Sequence, residues 1–192
     1  MDEEMTQEEI VLYEEELNDY ICSRGLDISD IGGLSRIIGD ECVLMLPDDV
    51  SSGFITLGRQ SSSFKAGNIC YDIRGAIAKT LAWAASTGKP DSPVSVVKVG
   101  ILTALWIVKL VKAEITDDDA DLVYWMHCNN VYDNCRSEDE LVAEYQAYYR
   151  AEKGRDRERS EITDSINRLY QIKCVDIADG RVRLCEKVWG RR

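Results

Sequence analysis

Apolar residues recur at intervals of three and four over most of this chain, and at intervals of two only near its end. That pattern predicts a mainly helical protein with a little sheet. Ile10, Tyr13, Leu17 and Ile21 make the first helical stripe. Thr6-Gln7-Glu8-Glu9, just ahead of it, has the spacing of a capping box, so a helix is predicted over about 7–24, stopped by Gly25. Glu14, Glu15 and Glu16 then fall mostly outside. A shorter helix is predicted near 29–38, weakened by Gly32-Gly33 and ended by Gly39. The apolar runs Glu41–Leu46 and Gly53–Leu57, separated by Pro47-Asp48-Asp49, predict two strands joined by a turn. The Ser-rich stretch Gly58–Gly67 reads as a surface loop and a boundary, and it lacks the Gly-Lys-Ser/Thr order of a phosphate loop.

Asn68 suits the cap of a helix over about 69–87, where Ile69, Ile73, Ile77, Leu81 and Ala84 align and Gly88 ends the run. Ser92-Pro93 then places a cap and a first-turn proline at the next helix, the one position where proline's missing N–H costs nothing. This helix is uncharged from Val99 to Val108. Ser95, Lys98, Lys109 and Lys112 fall in one arc of it, which predicts a helix nearly enclosed by its own protein and argues against a membrane span. The two helices are expected to pack as a hairpin. Three more follow, over about 117–134, 138–151 and 160–172, opened by Thr116, by the capping box Ser137-Glu138-Asp139-Glu140 and by Ser160.

The end of the chain is the most specific part. Asp179-Gly180 as a two-residue type I′ turn sets Ile177 opposite Val182, Asp176 opposite Arg183, Val175 opposite Leu184 and Cys174 opposite Cys185. Val175, Ile177, Val182 and Leu184 then share the oily face, and Asp176, Arg181 and Arg183 share the other. Three helices followed by such a hairpin, Thr116 to Val188, resemble a winged helix-turn-helix domain. In that resemblance Glu138–Ala151 is the second helix, Glu161–Ile172 the helix that enters a DNA groove and Cys174–Val188 the wing. The link between those helices, Glu152–Arg159, is read as longer than the tight turn usual in such domains. The resemblance implies groove contacts from Thr163, Asn167, Arg168 and Gln171 and phosphate contacts from Arg181 and Arg183. Glu161 and Asp164 on the same helix oppose a polyanion.

Charge changes the picture more by its distribution than by its net value of −12. Residues 1–50 hold 15 acidic against 2 basic residues, whereas residues 149–192 hold 8 against 12. The acidic end repels nucleic acid and favours a basic protein surface, with Glu8, Glu9, Glu14, Glu15, Glu16 and Asp19 as the candidate contacts. The 7 cysteines show no paired CxxC spacing, and Met1-Asp2-Glu3-Glu4 lacks the basic start of an export signal, which fits reduced thiols and a cytoplasmic setting.

Catalytic signatures are absent by spacing. His127 is the only histidine; beside Cys128 and near Cys135 it lacks a fourth zinc ligand, and adjacent residues on a helix point about 100° apart, which disfavours a Cys-His pair. Asp117, Asp119 and Asp121 copy the start of a calcium loop, but Leu122 stands where glycine is required. Trp83, Trp106, Trp125 and Trp189 are read as packing residues.

The expected protein is therefore mainly α with small β, an α+β fold. It comprises an acidic helical segment with a short β-hairpin (1–66), a helical hairpin forming the core (67–115) and a winged-helix-like domain (116–192). Its expected role is that of a non-enzymatic cytosolic interaction module, an adaptor, inhibitor or regulatory subunit. No metal or cofactor is expected. The alternative is a DNA-binding regulator using 161–172 and the wing 174–188.

Overall fold

The computed structural model describes residues 7–45, 69–87, 91–109 and 112–190. Seven helices and six short strands are found among them, in an α+β arrangement that is mainly helical. The first is α1 (Gln7–Cys22), whose Leu17 and Ile21 are fully buried. Gly25 follows at φ +64, the left-handed stop that its position predicted. Next comes α2 (Ile31–Cys42), longer than the sequence implied: it runs past Gly39 because Leu34, Ile38 and Cys42 keep one face in the core. Asp30 caps it by accepting from the Gly33 N–H at 2.9 Å.

β1 (Val43–Met45) does follow, but its partner is β2 (Ile69–Asp72), with Leu44 opposite Cys70. The predicted turn at Pro47, the strand Gly53–Leu57, the Gly58–Gly67 boundary and the Asn68 cap lie outside the described residues. The helix expected from residue 69 starts four residues later, as α3 (Ile73–Thr87), since Ile69–Asp72 is extended. Asp72 Oδ1 accepts from the Gly75 N–H at 2.9 Å and so starts the helix itself. α4 (Pro93–Ile107) begins with Ser92 as cap and Pro93 in the first turn, as read from the sequence. It packs on α3 with Gly100 beside Ile77, and the Tyr71 hydroxyl donates to the Gly100 carbonyl at 2.9 Å. Among the described residues no helix is long and apolar enough to cross a membrane.

α5 (Asp117–Cys128) ends six residues before the predicted limit, and the turn after it runs through Asn130 at φ +50. Then come β3 (Arg136–Ser137), α6 (Glu138–Lys153), α7 (Arg159–Gln171), β4 (Val175–Ala178), β5 (Arg181–Leu184) and β6 (Lys187–Gly190). The β4–β5 hairpin has the predicted register at every position, with Asp179 at φ +53 and Gly180 at φ +70 in the turn. β3 pairs with β5, giving a sheet ordered β3-β5-β4. The segment read as one wing to Val188 divides at Cys185. β6 leaves the hairpin and joins the other sheet, ordered β1-β2-β6, with Trp189 opposite Cys70. The last strand of the 116–192 segment is thus hydrogen-bonded to a strand from 67–115, and Arg74 ties the same seam, donating to Glu186 at 2.6 Å and Asn130 at 3.2 Å.

Candidate interaction surface

α7 carries the helix face that the sequence singled out. Ile162, Ile166 and Leu169 bury one side of it, and the Glu158 N–H donates to Glu161 Oε2 at 3.0 Å, so the helix opens at Glu158 and not at Ser160. Glu161 is therefore engaged at the helix start. Asp164, Asn167, Tyr170 and Gln171 remain exposed.

The other candidates for nucleic-acid contact divide. Thr163 is half-buried and donates to Glu138 at 3.0 Å. Arg168 folds back onto the fully buried Asp119, with Nη2 to Oδ1 at 2.7 Å and Nε to Oδ2 at 3.2 Å, so it joins α7 to α5 and does not project as a groove contact. Arg183 pairs with Asp176 across the hairpin at 2.6 Å. Arg181 is exposed, and among the described residues no carboxylate lies within bridging distance of it.

The neighbouring cations are bound in the same way. Arg159 pairs with Asp139, Arg150 with Asp156, Lys153 with Asp121 and Arg136 with Glu144. Arg157, read as part of a charged link, has a side chain only 4% exposed. It donates to Ser165 Oγ at 2.8 Å and approaches Tyr145 Oη and the Asp118 carbonyl at 3.4 Å. The link it sits in spans only Gly154–Glu158, with Gly154 in the left-handed region at φ +66. The Tyr145 hydroxyl donates to the buried Asp121 at 2.8 Å. Two orphans mark the cost of this network: Arg157 Nε, and Asp121 Oδ1, which has Lys153 Nζ at 3.2 Å but at an angle unsuited to a hydrogen bond.

The electrostatics follow from these contacts. Burial alone would raise the Asp119 carboxyl, but hydrogen bonds from Arg168, Ser165 and Thr116 outweigh it and hold the group below its ordinary value. Burial, then the Asp121 charge, pushes the Tyr145 phenol far up and Tyr148 up to about 12, so both stay neutral and Tyr145 remains a donor to Asp121. Asp117, Asp119 and Asp121 point to three different partners, Lys98, Arg168 and Tyr145, and do not converge as calcium ligands would. His127 Nδ1 lies 2.8 Å from Tyr132 Oη, and burial lowers its pKa. Among the described residues no group of three His, Cys, Asp or Glu could hold a metal ion. Cys174 and Cys185 stand opposite each other as free thiols, and burial pushes Cys185 up to about 12 and Cys174 higher still.

Toward the other end of the chain, Glu15, Glu16 and Asp19 are exposed on α1 opposite Leu17 and Ile21. No ion pair joins them to a cation among the described residues. Glu8, Glu9 and Glu14 belong to the same helix, and their side chains are not among those described. Sequence reasoning missed the Arg157–Ser165–Tyr145–Asp121 network. Its only signal was the alternation of signs from Arg150 to Arg159, which a solvated face shares. Trp189, read as packing, is 43% exposed.

Comparison with known proteins yields no relative: no family model, curated protein or solved structure matches the chain.

Proposed function

We propose that this chain is a non-enzymatic cytosolic interaction module, an adaptor, inhibitor or regulatory subunit, that engages a basic protein surface through α1 and is built on a winged-helix-like C-terminal domain. The order α5, β3, α6, α7, β4, β5, with the short first strand paired to the second hairpin strand, supports that comparison. Fold does not carry function, so the reading rests on charge. Its main support is the contrast between cations and carboxylates: Arg168 and Arg183 of the would-be DNA face, and Arg159 beside it, are bound to acids, whereas Glu15, Glu16 and Asp19 of α1 have no such partner among the described residues. Glu15 and Asp19, one helical turn apart, repel each other. A row of arginines on another protein relieves that repulsion and pairs with the carboxylates. A DNA-binding surface would instead have to break its own ion pairs to reach phosphate.

The test uses the triple variant Glu15→Gln, Glu16→Gln, Asp19→Asn beside the parent chain. In affinity capture from the cells that make the protein, the partner should be cross-linked to α1 and lost both in the variant and between about 50 and 200 mM salt. Equal recovery from the variant would end this reading. Duplex DNA should not bind at the lower salt; binding that Arg181→Ala removes would favour the regulator.

A further inference from the structure

Three large apolar side chains stand exposed among the described residues, Leu44, Tyr170 and Trp189. Two of them share one row of one sheet: Leu44 faces Cys70 across β1–β2, and Cys70 faces Trp189 across β2–β6. The row ends on β6, an edge strand that among the described residues pairs only with β2. An edge strand presents a line of unpaired N–H and C=O groups to any strand that can match its side-chain alternation. In β6 that alternation is exposed Lys187, buried Val188, exposed Trp189 and buried Gly190.

We propose that β6 pairs antiparallel with β6 of a second copy about a two-fold axis through Val188, joining the two small sheets into one. Residues directly opposite in an antiparallel pair share a face, so such an axis must pass through a residue and not between two. An axis at Lys187 sets like charges against each other. An axis at Trp189 sets Val188 against Gly190, where a side chain is missing because the Ile107 carbonyl fills its place. The Val188 axis sets Lys187 of each copy against Trp189 of the other, an ammonium beside an indole ring, twice over. It also continues the buried Val188 row from copy to copy. The strand is complementary to itself, which is what makes a second copy its occupant.

Each copy carries a net charge of −12, so the dimer forms against long-range repulsion that salt screens. Its salt dependence is therefore opposite in sign to that of the α1 contact, and the two fail separately. Sedimentation of the full chain up to about 100 µM should show a monomer–dimer equilibrium. Dimer should increase between about 50 and 500 mM salt. Trp189→Ala and Lys187→Ala should each weaken association about tenfold, while Leu44→Ser, on the far edge, leaves it unchanged. These positions are exposed, and circular dichroism verifies that the variants fold. A monomer at every concentration overturns the proposal. So does stronger association of Lys187→Ala, which would make Lys187 a guard of the edge, and so does sensitivity to Leu44→Ser alone.

Discussion

The two ends of this chain use charge in opposite ways. On α1 the exposed Glu15, Glu16 and Asp19 face solvent with no cation to meet them among the described residues. Around α5, α6 and α7, the cations Arg136, Arg150, Lys153, Arg157, Arg159 and Arg168 are each spent on an acid, some in the interior: Asp119 is fully buried and Arg157 nearly so. The first arrangement leaves charge available to a partner. The second converts it into architecture. A basic C-terminal composition therefore does not make a basic surface, and the segment that looked suited to nucleic acid is electrostatically the more self-satisfied of the two.

Three variants sharpen that contrast, in descending order of effect. Arg157→Ala removes a guanidinium that spans α5, α6 and α7, and leaves the buried Ser165 hydroxyl with only Arg168 and Asp119 as partners. The expected loss is about 3 kcal/mol or more. In a thermal melt it should appear as a fall on the order of 10 °C. A melt within error of the parent would show the network to be idle.

Asp119→Ala removes both the reciprocal capping box with Thr116 and the anchor of Arg168. A loss of about 2 kcal/mol is expected near neutral pH. Because the folded carboxyl titrates below its unfolded value, its contribution is complete above that value and disappears as the folded group protonates. Urea titrations should thus show the gap between parent and variant closing as pH falls below about 4. A gap that stays constant to lower pH would assign the loss to packing alone.

The smallest effect belongs to α1. Neutralising Glu15, Glu16 and Asp19 together should change stability by less than about 0.5 kcal/mol, with any shift toward greater stability as i,i+4 repulsion is relieved. A large destabilisation in a denaturant titration would mean that these acids are structural after all, and the contrast between the two ends would fail.

Much of the helical architecture was legible one element at a time. Ser92-Pro93, the Thr116 cap, the Ser137 capping box and Gly25 all sit where their local chemistry placed them. The β4–β5 register followed from a two-residue turn and a period-two alternation. The candidate surface was less legible. Arg168 and Thr163 look like exposed helix positions in sequence, and their buried or half-buried partners, Asp119 and Glu138, lie in other elements. Similarly, Ile69–Asp72 continues the helical spacing of α3 and was absorbed into it, although pairing with both β1 and β6 makes it a strand.

By itself the sequence determined what short-range physics controls: where several of the helices begin, how one hairpin registers, and that negative charge gathers at one end. Tertiary structure decided the partners. The seam that Arg74 and Glu186 close joins positions 112 residues apart. No periodicity or cap encodes such a meeting, because its free energy exists only once the intervening chain has folded and brought the two groups out of water together.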